Sequence, residues 1–309
     1  MANGCYLCPR QCGVRRDQGV YGVCKMGERV RVARAALHPF EEPPISGVRG
    51  SGTVFFVGCS LGCLFCQNKD IHPREVGREL GDEQLGELFL LLQEKGAHNI
   101  NLVTPTHFAD RIAVALRAVK PYLHIPVVYN CGGYERVETL RMLGGLVDIY
   151  LPDFKYISPE LSRAYSGASD YADVAAAALA YMYEQVGNVC YDADGMLKSG
   201  IMVRHLVLPG CRTDSFAVLG KIAQILPVDG VLLSLMRQYT PDFAPEDAPR
   251  NLRRRVTSFE YDSVMARALE LGFDGFFQGK EAASATFTPN FKECDFLDEL
   301  MNKWPNGVR

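Results

Sequence analysis

At 309 residues, with 48% hydrophobic and 22% charged residues, the chain has an ordinary globular composition and enough length for one α/β barrel. A formal net charge of −3 with no basic stripe argues against nucleic acid or an anionic membrane as partner. Without a secretory signal or an apolar run of membrane-spanning length, the eleven cysteines point to metal binding in a reducing cytoplasm rather than to disulfides.

Residues 1–30 form a cysteine-rich module. Cys5, Cys8, Cys12 and Cys24 are spaced C-x2-C-x3-C-x11-C, with Pro9, Gly13, Gly19 and Gly22 supplying turns. Four thiolates close a coordination sphere, which implies structure or electron transfer rather than substrate activation. Structural zinc and a second iron–sulfur cluster both fit the spacing. So short a segment builds no core without such a centre. Residues 31–50, with Glu41, Glu42, Pro43, Pro44, Gly47 and Gly50, read as an extended connector laid against a barrel of residues 51–309.

From Thr53 onward strands and helices alternate. Strands are expected near 53–58, 99–104, 125–130, 147–152, 201–208, 231–236 and 274–278. Helices are expected over 82–95, 109–118, 136–143, 172–185, 215–225 and 261–271. Asp82 is the expected N-cap of the first, whose Leu85, Leu88, Phe89 and Leu92 share one face. The alternation predicts six or seven parallel strands with right-handed crossovers, a partial to nearly closed (β/α) barrel.

The first strand runs straight into Gly58-Cys59-Ser60-Leu61-Gly62-Cys63-Leu64-Phe65-Cys66. Three thiolates spaced CxxxCxxC fit three irons of a [4Fe–4S] cube and leave the fourth iron open, whereas an electron carrier supplies four. Zinc sites pair cysteines as CxxC knuckles with a fourth ligand nearby, and no further cysteine follows until Cys131. The spacing, with an aromatic before the third cysteine, resembles the radical-SAM superfamily, in which S-adenosylmethionine (SAM) binds that open iron.

In a barrel the residues after each strand build the site. Here they are Thr104-Pro105-Thr106-His107, Asn130-Cys131-Gly132-Gly133-Tyr134, Pro152-Asp153-Phe154-Lys155, Arg204-His205 before Pro209-Gly210, and Arg237-Gln238-Tyr239. Asp153 and Lys155 share one face of an extended segment, as an ion pair or as ligands of SAM. Arg204 and His205 point to opposite faces, and Arg204 has the fork that suits a carboxylate. His107 and His205 are proton carriers or hydrogen-bonded structural histidines. Cys131, Cys190, Cys211 and Cys294 read as small buried hydrophobes. Arg253-Arg254-Arg255 reads as a solvated face or an acidic partner's docking patch.

Together the segments Cys5–Val14, Glu41–Gly47, Phe65–Asn68, Asn99–His107, Val147–Tyr156 and Arg204–Gly210 resemble the glycyl-radical-enzyme activases, and more closely an activase-like branch of radical-SAM proteins. The resemblance implies that Cys59, Cys63 and Cys66 hold the cluster, that Phe65 lies near the adenine, and that Asp153, Lys155 and Arg204 surround the methionine and ribose of SAM. The activases' Gly-Gly-Glu, which binds the SAM amino group, is here Thr104-Pro105-Thr106. Their Asp-Thr is here Asn130-Cys131. Thr104, Thr106, Asn130 and Gln238 complete the expected cofactor contacts. The implied reaction is reductive cleavage of SAM, with hydrogen abstraction from a substrate. The substrate is a glycyl radical enzyme or peptide, or else a small metabolite, and a flavodoxin- or ferredoxin-type protein supplies the electron. A non-catalytic iron–sulfur electron carrier is the competing class.

Overall fold

The structure, a computed structural model, describes residues 4–283, 289–291 and 296–304, so Cys294 lies outside the described residues. In chain order its elements are β1 (Val30–His38), α1 (Pro43–Ser46), β2 (Ser51–Phe56), β3 (Arg78–Leu80), α2 (Asp82–Glu94) and β4 (Ile100–Val103). There follow α3 (Ala109–Val119), β5 (Val127–Cys131), α4 (Val137–Met142), β6 (Ile149–Pro152), α5 (Pro159–Ser166), α6 (Tyr171–Val186) and β7 (Cys190–Tyr191). The rest is β8 (Leu197–Leu206), α7 (Arg212–Ile225), β9 (Leu232–Met236), α8 (Ser258–Glu270), β10 (Gly275–Phe277) and α9 (Phe296–Lys303).

One twisted sheet has the order β10-β9-β8-β6-β5-β4-β2-β1-β3, with β7 added beside β8. The strands from β2 to β10 along this path are all parallel, while β1 runs antiparallel to both β2 and β3. Every residue of β2, β4, β6 and β9 is buried, as befits parallel strands covered on both faces. Among the described residues β10 and β3 end the ladder without pairing to one another. The fold is thus α/β with a mostly parallel central sheet.

The helices pack by the apolar faces their sequences carry. In α2, Leu85, Leu88, Phe89 and Leu92 are fully buried, each side chain contributing about 1.5–3 kcal/mol of burial. The expected Asp82 cap is corrected: Gly81 takes the N-cap position, with Gln84 accepting its N–H at 2.9 Å, and Asp82 pairs with Arg111 at 3.0 Å. α5 was not expected, although Ser158-Pro159 is a start signal: Ser158 Oγ accepts from Leu161 N at 3.1 Å.

The first part of the extended connector is a sheet strand, β1, paired antiparallel with β2, with Val32, Ala33, Ala35 and Ala36 buried. The short α1 then turns Ile45 inward against Val128, Ile149, Leu151 and Met202, and Asn99 Nδ2 donates to the Ile45 carbonyl at 2.7 Å. The connector thereby packs Ile45 against buried residues of β5, β6 and β8.

Candidate functional site

A pocket of about 550 Å³ lies at the carboxyl ends of the parallel strands. Of the residues expected at the site, Cys59, Cys63, Cys66, Phe65, Thr104, Asn130, Asp153, Lys155, Arg204 and Gln238 all line it. They come from the ends of six different strands, which is how a parallel sheet gathers distant residues. Thr106 does not line it. Its hydroxyl instead donates to Glu135 Oε1 at 2.6 Å, behind the wall.

The loop after β2 carries the three thiols. Gly58, with φ of +83°, makes the turn out of the strand. Leu61 N donates to Cys59 Sγ at 3.3 Å, Ser166 Oγ to Cys63 Sγ at 3.0 Å, and His72 Nε2 lies 3.5 Å from Cys66 Sγ. Burial first, and then the neighbouring Cys63, pushes the thiols of Cys59 and Cys66 upward. Cys131 is buried in the core, as expected, and also lines the pocket. Burial, followed by Glu135, raises its thiol well above the usual range, and Glu135 rather than the loop thiols is its charged neighbour. Three soft donors on one loop facing a roomy pocket, with N–H and O–H groups directed at sulfur, fit a three-thiolate cluster with one open position.

Phe65 sits edge-on to Tyr156, Tyr165 and Tyr239, so its ring is fixed where it borders the pocket. Thr104 has φ of +59°, a strained conformation for a β-branched residue, and its N–H donates to Asn130 O at 2.9 Å. Asp153 accepts from Lys155 Nζ. Burial alone would pull that ammonium down, but Asp153 and then Cys63 hold it above its usual range, so Lys155 stays charged. Tyr171 fixes the pair's backbone: its hydroxyl bridges the carbonyls of Gly132 and Asp153 at 2.9 and 3.0 Å and accepts from Lys155 N at 3.0 Å. Gln238 Nε2 donates to Gln67 Oε1 at 3.3 Å, joining the β9 end to the cluster loop.

Arg204 faces inward and His205 away, as alternation requires. His205 Nδ1 donates to Phe154 O at 2.7 Å, and burial pushes its pKa down to about 4, so it is a neutral structural histidine. Arg204 is not a free fork. Its Nε donates to Glu42 Oε1 at 2.9 Å and its Nη2 to both Glu41 and Glu42. Burial would weaken the cation, yet Glu42 and Glu41 outweigh that and keep it charged. Burial likewise opposes the Glu42 charge, and Arg204 overrides it. Two carboxylates against one guanidinium leave this wall of the pocket net negative. Sequence reasoning put the two glutamates in the connector and not at the site, because their partner Arg204 lies 162 positions beyond Glu42.

His107 is also structural. Its Nε2 donates to Val57 O at 2.7 Å, and burial pushes its pKa down to about 3. Cys211 is buried near Asn251 and Tyr165, whereas Cys190 is exposed, against expectation, on the short β7. Arg254 pairs with Glu260 at 2.6 Å and Arg253 donates to Ala248 O, so these two arginines serve local structure.

The N-terminal cysteines stand outside the pocket. Cys5, Cys8, Cys12 and Cys24 share the lining of a separate small cavity with Arg16 and His107. Among the described residues no group of three or more His, Cys, Asp or Glu is arranged as a metal-ion site. Arg10, between Cys8 and Cys12, donates from Nε to Ser60 O at 2.9 Å and from Nη2 to Ser166 O at 2.8 Å. The module is therefore tied to the loop that carries the pocket thiols.

With this geometry in hand, residues 53–197 match the Radical SAM superfamily model. That segment is a radical SAM domain. The family implies a [4Fe–4S] cluster and SAM, and its members are in general enzymes of radical reactions. The chain is 27% identical over 282 residues to an uncharacterised protein of Methanocaldococcus jannaschii, covering 87% of this chain and 75% of that one. Among solved structures it is similar to Streptococcus suis SuiB bound to the precursor peptide SuiA, at a TM-score of 0.50 and 14% identity, covering 78% of this chain and 52% of that one. SuiB bound to S-adenosylmethionine gives a TM-score of 0.49 at 10% identity, covering 72% and 48%. The chain spans about half the length of these SuiB chains, and the likeness to the SuiA-bound one is of fold alone. Among the described residues no helix is long and apolar enough to cross a membrane.

Proposed function

We propose that this chain is a radical SAM enzyme whose active site is the 550 Å³ pocket at the strand ends. The observation that carries the reading is the meeting of Cys59, Cys63 and Cys66 in one pocket with the strand-end residues Thr104, Asn130, Asp153, Lys155 and Gln238. A [4Fe–4S] cluster on those three thiolates, with SAM, supplies the electron transfer that cleaves SAM and the radical that takes a hydrogen atom from substrate. The protein's own task is to orient and to exclude water and oxygen. Phe65 offers an aromatic edge for the adenine. The Asp153–Lys155 pair offers one acceptor and one donor, to a ribose hydroxyl and a carboxylate. Thr104 and Asn130 offer neutral acceptors for the SAM ammonium where activases use a glutamate.

The connector favours a small metabolite as substrate. His38, Phe40, Glu41, Glu42 and Pro43 form part of the pocket wall, so the connector bounds the space left beside SAM. A glycyl radical enzyme or peptide is the second reading, supported by the activase-like strand-end motifs. The electron would come from a flavodoxin- or ferredoxin-type donor in a reducing cytoplasm.

The deciding experiment is anaerobic reconstitution with iron and sulfide, followed by SAM, dithionite and assay for 5′-deoxyadenosine. Formation by the wild type, lost in the Cys59/Cys63/Cys66 triple alanine variant, is expected. A fully loaded wild type that leaves SAM intact, alone or with candidate peptides and metabolites, returns the chain to the electron-carrier class. Asp153→Ala is expected to weaken SAM binding about tenfold, the loss of one charge-assisted hydrogen bond. Unchanged affinity removes Asp153 from the site.

A further inference from the structure

Arg16 is a buried guanidinium with no carboxylate at ion-pair distance among the described residues, although Asp110 lies within its electrostatic reach. It is 6% exposed, and no ion pair to it occurs among the described residues. Its Nε donates to Gly27 O at 2.7 Å and its Nη1 to His107 O at 2.6 Å, with Cys5 Sγ at 3.8 Å from the same nitrogen. Its Nη2 is buried with no hydrogen-bond partner. Burying an unpaired charge costs several kcal/mol, so such a group marks the place of a missing anion. The cavity beside it is lined by Cys5, Cys8, Cys12 and Cys24. His107, 1% exposed, borders the same cavity. One unmet buried donor and four thiols thus belong to one region.

The loops are built to bring those thiols together. Gly22 lies against Cys12 so closely that a Cβ there would stand 2.7 Å from Cys12 Sγ, which lets the turn before Cys24 rest on the third cysteine. Cys5 N donates to Val14 O, and Gly13 N to Cys5 O, both at 3.0 Å, closing the first loop upon itself. Four thiolates leave a net negative charge on the centre whether they hold one zinc ion or an iron–sulfur cluster. That charge is what Arg16 lacks.

We propose that Cys5, Cys8, Cys12 and Cys24 bind a tetrathiolate metal centre and that Arg16 is its buried counter-charge. The site goes beyond the SAM pocket and does not depend on that reading. Arg16 acts on the metal through charge and N–H···S contact rather than by ligation, so its removal weakens the centre without deleting a ligand.

The test uses the full chain with Cys59, Cys63 and Cys66 changed to Ala, which separates this centre from the pocket cluster. It is loaded anaerobically with zinc alone or with iron plus sulfide, and metal and sulfide are counted per chain. Metal bound in one of the two arms is expected, and the arm that fills identifies zinc or cluster. Arg16→Met is expected to lose the metal to a competing chelator at roughly 10–100-fold lower concentration, and Arg16→Lys to recover most of that loss. An independent readout on the wild-type chain guards against misfolding of the triple variant. Metal is expected to protect Cys5, Cys8, Cys12 and Cys24 from iodoacetamide, mapped by mass spectrometry, and chelation to expose them. No metal in either arm together with no protection overturns the site. Equal chelator sensitivity of Arg16→Met and wild type overturns the role of Arg16. Neither result bears on SAM cleavage, which the 5′-deoxyadenosine assay reports separately.

Discussion

The carbonyl oxygen of Cys24 lies against Gly58 so tightly that a Cβ on that glycine would stand 2.6 Å from it, with Met26 Cγ at 2.8 Å. The last cysteine of the N-terminal module thus touches the residue preceding the first pocket cysteine. Gly58 also holds φ of +83°, which any other residue adopts only with strain. Gly58→Ala is expected to cost about 2–4 kcal/mol and to lower iron bound by the reconstituted chain, because the module and the cluster loop must part. Thermal unfolding alongside an iron assay checks it, and wild-type values in both would show that the contact relaxes freely.

Arg204 pairs with both Glu41 and Glu42, and all three side chains are nearly buried. Arg204→Met is expected to destabilise the metal-free chain by about 3–5 kcal/mol, since it strands two carboxylates. Adding Glu42→Gln to that variant should recover part of the loss. Arg204→Lys should fall between, because an ammonium lacks the fork that serves both partners. Urea unfolding of these chains and of the Glu42→Gln single variant decides, and additive effects of Arg204 and Glu42 would mean that they do not interact.

Glu135 sets a pH dependence. Buried between Thr106 and Tyr129, its carboxyl is raised from 4.5 to about 7, burial outweighing the two hydroxyl donors. A carboxyl raised by folding keeps a proton that the unfolded chain releases. This contribution is therefore greatest below about pH 4.5, falls as the pH rises to about 7, and is then flat. The shift corresponds to at most roughly 3 kcal/mol. Glu135→Gln should remove that fall, so the variant gains on the wild type between about pH 5 and 7. Parallel melting-temperature profiles for the two would contradict it.

Thr104 carries strain where activases have a glycine motif. Thr104→Gly is expected to raise stability by about 1 kcal/mol, because glycine meets a φ of +59° freely. The same change should weaken SAM binding through loss of the hydroxyl. Stability and affinity moving in opposite directions is the expected pattern. Affinity unchanged would assign the SAM ammonium to other residues.

The parallel strands were legible because short β-branched and apolar runs alternated with helical periods, and CxxxCxxC marked the pocket without any structure. β1 escaped notice because Arg31, Arg34 and three alanines mask a buried strand, and its register shift between Val32 and Arg34 breaks the period of two. Thr106 was misplaced for a different reason: sequence puts it at a strand end but does not show that Glu135 turns it away. Glu41 and Glu42 needed Arg204, far along the chain, before their burial made sense. What periodicity carries was read, and what long-range pairing decides was not.

The Arg204–Glu42 pair spans 162 positions of sequence. At about 5–20 residues per second of translation, the ribosome delivers the arginine roughly ten to thirty seconds after the glutamates. During that interval the nascent connector carries two acids whose only buried home is unfinished, so they stay hydrated and the segment stays undocked. The wall of the pocket is then completed late in synthesis, after the cluster loop has already emerged. A half-made chain would thus leave its pocket thiols accessible from the connector's side, the state in which an assembly machine could still reach them.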